Sequence, residues 1–245
     1  MELRSRLSEM CFYEQPIFRV EENEQKTIFG YELLLRKNDG ENAFPAMLFR
    51  EYMYSSEANT ILCRWIAETV GEIAAAHPTC HYSFNLDPQQ LLYEGTVEEL
   101  AKLAPYADQI AIEITEGVPA QRDFTQYYNP SLLAQVKALH EIGFSVRLDD
   151  VSSGLNSFNT VRNYIERIDG IKLSLIQFRN TDCELVVAAL NLWQTLATHY
   201  DIKLIIEGVD GPAISDSLVK RNLNWQQGFF LGMPEAINQS VNQPK

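Results

Sequence analysis

Short runs of apolar, β-branched and aromatic residues recur along this chain, separated by longer stretches whose apolar residues fall three and four apart. The runs lie near Phe12–Phe18, Ile28–Leu35, Cys80–Leu86, Ile110–Thr115, Phe144–Leu148, Gly170–Leu173, Lys203–Ile206 and Trp225–Leu231. They predict strands. Between them Ala58–Ala76, Pro88–Leu103, Ser131–Ile142, Ser157–Glu166, Cys183–Tyr200 and Pro212–Leu223 carry the helical spacing. Asn129, Asp182 and Asp210 stand where helix N-caps are expected, and a proline closely follows two of them.

Alternating strands and helices over 245 residues match the size of a TIM-like (β/α)8 barrel better than an open sheet. The start departs from that plan. Arg19–Thr27 is too short to hold a crossover helix, so the first two strands are expected to form an antiparallel hairpin. No linker or repeat divides the chain, which places one barrel domain over 1–237 and a polar tail over 238–245.

Composition narrows the partners. Lys+Arg number 20 against 33 Asp+Glu, a net charge of −13, which disfavours DNA, RNA and anionic membrane surfaces. No apolar stretch is long enough to span a bilayer. Cys11, Cys63, Cys80 and Cys183 are scattered without metal-site spacing, and they read as buried thiols of a cytoplasmic protein.

The chemistry gathers at the C-terminal ends of the predicted strands. Glu32, Asn85, Glu113 with Glu116, the pair Asp149–Asp150, Lys172, Glu207 and Gln227 all fall there. A barrel brings strand ends to one rim, so these groups are expected to share a pocket. Two carboxylates about 5 Å apart repel by roughly 3 kcal/mol at an effective dielectric near 20. A cluster of five must protonate or hold cations. Glu32, Glu113, Asp149, Asp150 and Glu207, offset by Lys172, leave −4, which two divalent cations neutralise. An oxygen donor set, with Asn85 neutral, favours Mg²⁺ or Mn²⁺ over zinc. His77, His81, His140 and His199 stand away from these ends and read as structural. Arg36, four residues past Glu32, offers a planar fork for a phosphate.

These residues, in this order, resemble the EAL domain family of cyclic di-GMP phosphodiesterases. The match runs from Tyr13–Ile17 to Gln227–Pro234, with the name-giving motif appearing as Glu32-Leu33-Leu34. The resemblance implies a barrel with an altered first strand, two Mg²⁺ or Mn²⁺ ions and hydrolysis of cyclic di-GMP to linear pGpG. It implies that Glu32, Asn85, Glu113 and Asp149 hold one ion and that Asp149 and Asp150 hold the other. Lys172 then orients water and Glu207 is general base or metal partner. Gln15 and Arg36 face the nucleotide, Gln227 lies near the water, and Glu116 supports the loop after Asp150. A cytoplasmic homodimer is the expected assembly, regulated by a separate protein partner, by oligomerisation or by ligand supply.

The chain also departs from the family pattern. Val151-Ser152-Ser153-Gly154-Leu155 stands where the family usually has Phe-Gly-Thr-Gly-Tyr, and Ser152 is expected to move the backbone off the path a glycine allows. Ser174 stands for a usual Asp, Leu33 for a usual Ala and Asp210 for a common Glu. The sequence therefore leaves three readings: a phosphodiesterase of full or weak activity, a degenerate receptor that binds cyclic di-GMP without turnover, or a protein acting through protein contacts alone.

Overall fold

The structure, a computed structural model, describes residues 2–22, 25–119 and 130–237. The expected cap Asn129 and the tail 238–245 lie outside the described residues. A short helix α1 (Glu2–Arg6) precedes strands β1 (Met10–Val20) and β2 (Lys26–Lys37). Helices α2 (Ala46–Tyr52) and α3 (Ser56–Ala76) lead to β3 (Tyr82–Leu86), and α4 (Pro88–Leu91) and α5 (Thr96–Leu100) lead to β4 (Ile110–Ile114). Helix α6 (Pro130–Ile142), β5 (Ser145–Leu148), α7 (Phe158–Tyr164) and β6 (Gly170–Ser174) follow. The chain continues through α8 (Cys183–Tyr200), β7 (Lys203–Glu207), α9 (Pro212–Val219), β8 (Trp225–Gln226) and β9 (Glu235–Ala236).

Strands β2 to β8 pair in sequence order and β1 closes the ring between β8 and β2, giving the TIM-like barrel. The hairpin expected at the start is present. β1 is antiparallel to both neighbours, while β2 through β8 run parallel. β4 and β6 are buried at every position, as strands covered on both faces must be. Their outward residues, such as Ile112 and Ile171, join the core beneath Val70 of α3, Leu139 of α6 and Trp193 of α8. The hydroxyl of Ser55 caps α3 by accepting the Ala58 N–H at 3.1 Å, and Asp87 caps α4 with Gln90 completing the reciprocal box.

Several expectations are corrected. Pro88–Leu103 is not one helix: it breaks into α4, α5 and a 3₁₀ segment from Ala101 that carries Pro105 inside it. The last barrel strand ends at Gln226, and just beyond it Gly228 passes so close to Val209 that a Cβ would lie 2.2 Å from its carbonyl oxygen. Gly211, rather than Asp210, is the N-cap of α9. All four cysteines are free, but only Cys63 is buried, and Cys183 is exposed. Among the described residues no helix is long and apolar enough to cross a membrane.

Candidate active site

In-register neighbours on a sheet point to the same face, and the register decides what enters the barrel. Gln15 pairs with Glu32, Glu32 with Ser83, Asn85 with Glu113, Glu113 with Arg147, and Ser174 with Glu207. Glu32, Asn85, Glu113, Lys172 and Glu207 converge accordingly, and Asp149 joins them one residue past the end of β5.

Lys172 is the hub. Its ammonium is fully buried and lies 2.6 Å from Glu207 Oε1, 2.7 Å from Glu113 Oε2, 2.9 Å from Glu32 Oε2 and 3.6 Å from Asp149 Oδ1. Burial opposes its charge, yet the carboxylates, Asp149 foremost, outweigh that and raise its pKa well above the ordinary lysine value. Glu32 is pushed up by burial, but the charge of Lys172 and hydrogen bonds from Lys172, Gln227 and Asn85 hold it below the usual range. One cation does not satisfy every carboxylate. Burial raises Asp149 far above its ordinary value, helped by Glu207, Glu113 and Glu32 against the opposing pull of Lys172. Burial likewise lifts Glu207 to about 7 despite Lys172, with Glu32 and Glu113 adding to the rise.

The donor set fits a divalent cation. Asn85 turns its Nδ2 to Glu32 Oε1 at 2.5 Å, which leaves its own Oδ1 buried without a hydrogen-bond partner. Asp149 Oδ1 also lacks a hydrogen bond, with Lys172 Nζ no nearer than 3.6 Å. Orphaned buried acceptors are costly, and a hard cation is the partner that oxygen donors suit. Asp149, Asp150 and Glu207 also offer oxygens that all lie within 4.8 Å of one another.

The remaining expected residues lie around this cluster. Gln227 Nε2 donates to Glu32 Oε2 at 2.8 Å and to Gln15 Oε1 at 3.3 Å, while Gln15 Nε2 donates to Gly232 O at 3.0 Å. Both glutamines are buried behind Glu32. Arg36 lines a cavity of about 1080 Å³ together with Glu32, Asn85, Asp149, Phe44, Phe49 and Tyr93. Its Nε donates to Asn42 at 2.6 Å. Glu116 meets the Asp150 loop through its main chain: its carbonyl accepts the Leu155 N–H at 2.9 Å, and a Cβ on Gly154, at φ +43°, would strike that oxygen at 2.1 Å.

The Ser152 expectation is corrected. Ser152 keeps a left-handed backbone, φ +81°, instead of escaping it. Its N–H donates to Asn156 O at 2.9 Å, and its Oγ accepts the indole N–H of buried Trp193 at 2.9 Å. The side chain that makes the conformation costly also anchors it. Two contacts were missed in the sequence. Gln177 donates to Asp150 Oδ1 at 3.0 Å, and Arg147 Nη1 donates to buried Glu113 Oε1 at 3.1 Å. The available signal for Arg147 was its position two residues before Asp149, on the face of the strand that points into the barrel.

A TIM-like barrel with a buried lysine-centred carboxylate cluster at its rim defines the class of protein. The EAL domain model matches residues 2–234, and the chain belongs to the EAL domain family. It is 28% identical over 163 residues to the cyclic di-GMP phosphodiesterase PdeB of Shewanella oneidensis, which covers 63% of this chain and 18% of that relative. Two solved structures share the fold. The PaMucR phosphodiesterase in complex with c-di-GMP gives a TM-score of 0.73 at 20% identity, covering 94% of this chain and 99% of its own. The manganese/cy-diGMP complex of Klebsiella pneumoniae BlrP1 gives 0.70 at 19% identity, covering 93% and 56%.

Proposed function

We propose that this chain is a divalent-cation-dependent phosphodiesterase that hydrolyses cyclic di-GMP to linear pGpG. The observation that carries the reading is the pair of buried oxygens without a hydrogen bond, Asn85 Oδ1 and Asp149 Oδ1, set beside Glu32 at the cavity wall. Glu32, Asn85, Glu113 and Asp149 would hold one Mg²⁺ or Mn²⁺, and Asp149 with Asp150 a second. The chemistry such ions supply is Lewis acidity toward a phosphoryl oxygen and a lowered pKa for water.

The protein's own groups do the rest. Arg36 grips a phosphate through its planar fork, and the aromatic wall of the cavity takes a guanine face. Lys172 orients the attacking water. Glu207, whose Oε1 lies 2.6 Å from the Lys172 ammonium, accepts its proton. The water oxygen bonds to phosphorus, the P–O3′ bond breaks, the leaving 3′-oxygen takes a proton from solvent, and Glu207 returns the proton it accepted to solvent. The scattered free cysteines support a cytoplasmic setting. Exposed Leu185 and Leu192 on α8 and exposed Phe158 beside Trp193 support a homodimer across that face.

Purified protein incubated with cyclic di-GMP and Mn²⁺ or Mg²⁺ is expected to yield pGpG by chromatography. No product and no rise in melting temperature with the nucleotide refute the proposal. One observation favours the receptor reading: Lys172 already occupies an oxygen of Glu32, Glu113 and Glu207. A thermal shift with cyclic di-GMP but no pGpG supports it.

A further inference from the structure

Glu113 is tied at both ends. Its Oε2 faces Lys172, while its Oε1 accepts from Arg147 at 3.1 Å, deeper in the barrel. Arg147 has only 8% of its side chain exposed, and Glu113 has none. Arg147 lies on the inner face of its strand, in register with Glu113. Its neighbour in register on β6 is Gly170, where a Cβ would lie 3.4 Å from Arg147 Cγ. Phe29 offers its ring from the other side, 5.6 Å from the guanidinium carbon.

An arginine cannot shed its charge inside a protein, so it is a permanent counter-ion. Two consequences follow for an ion arriving at the rim. Glu113 Oε1 is held by a strong charge-assisted bond, so an arriving ion can compete only for Oε2, which Lys172 already contacts at 2.7 Å. The five clustered carboxylates also face two buried cations rather than one, which weakens the pull on any further positive charge.

We propose that Arg147 is a positioning residue that limits divalent-cation affinity by holding Glu113 Oε1 and supplying a fixed positive charge beneath the site. The inference rests on the metal-dependent reading of the rim. Its test is Mn²⁺ binding by the full chain, read from loss of the free Mn²⁺ paramagnetic resonance signal and by calorimetry, in wild type, Arg147→Gln and Arg147→Lys. Arg147→Gln keeps a donor to Glu113 but removes the charge, and is expected to bind Mn²⁺ about tenfold more tightly. Arg147→Lys keeps the charge and is expected to stay within about threefold of wild type. Equal or weaker binding by Arg147→Gln overturns the proposal, as does a larger shift in Arg147→Lys. If Arg147→Gln does not fold in chelator, folding on addition of Mn²⁺ supports the proposal, and failure to fold with Mn²⁺ overturns it. Cyclic di-GMP hydrolysis by wild type is scored separately. Absence of product with the Arg147→Gln shift intact fails only the enzymatic reading, and pGpG formation with unshifted binding fails only this one.

Discussion

Replacing Glu207 by Gln should stabilise the cation-free protein at alkaline pH and do little at acid pH. Glu207 keeps 18% of its side chain exposed, and burial lifts its pKa from an ordinary 4.5 to about 7, with Glu32 adding to the rise and Lys172 opposing it. The folded state therefore holds the proton more tightly than the unfolded chain does. Below pH 4.5 both states are protonated and the full stability is present. As pH rises toward 7 the unfolded chain ionises first, and stability is lost at about 1.4 kcal/mol per pH unit. The whole window amounts to about 3 kcal/mol. Glutamine mimics the protonated acid and can still accept from Lys172, so the variant escapes this loss. For a chain of this size about 3 kcal/mol corresponds to roughly 6–12 °C in melting temperature. The assay is thermal unfolding in EDTA at pH 5, 6, 7 and 8, comparing variant with wild type at each pH. The gap should open between pH 5 and 7 and then level off. Adding Mn²⁺ should narrow it by giving the wild-type carboxylate a counter-charge. A gap that stays flat across the series, or a variant less stable at pH 8, refutes the reasoning.

The remaining predictions concern the loop and the cavity. Ser152→Ala keeps the strained φ of +81° and strips the acceptor from the Trp193 indole, so it should lose about 1–2 kcal/mol in chemical denaturation. Ser152→Gly relieves the backbone while losing the same bond and should fall by less than about 1 kcal/mol; equal losses would show that strain is not stored there. Arg36→Ala should weaken cyclic di-GMP binding about tenfold by calorimetry and leave Mn²⁺ binding unchanged. Undiminished nucleotide affinity would remove Arg36 from the site.

Much of the barrel could be read before any coordinates, because alternation of strand and helix periods is local and each polar residue at a strand end leaves its mark beside an apolar run. Glu32, Asn85, Glu113, Asp149, Lys172 and Glu207 could be expected at one rim for that reason. Pairing between distant segments left a weaker trace. Arg147 sits in an apolar strand as one more charge, and only the register with Glu113 gives it a partner. The short β8 was equally hidden. Trp225–Leu231 is apolar enough for a strand, but the strand stops at Gln226 and the chain then turns in against Val209 at Gly228. Ser152 misled for a related reason: an L-residue disfavours positive φ locally, and the indole that repays it lies 41 positions away.

The reversed first strand has a consequence for where the leading segment packs. In a barrel whose strands all run one way, the chain enters each strand at the floor, remote from the chemistry. Here Met10, where β1 begins, pairs with Lys37 at the end of β2, so the leading residues arrive at the mouth. Just before it, the carbonyl of Leu3 in α1 accepts the Tyr52 hydroxyl at 2.7 Å and Arg6 grips Glu51, both on α2. The same α2 gives Ala46, Phe49 and Arg50 to the cavity wall. The helix before the first strand is thus braced against the same helix that lines the pocket, so the mouth and the leading segment share one packed unit.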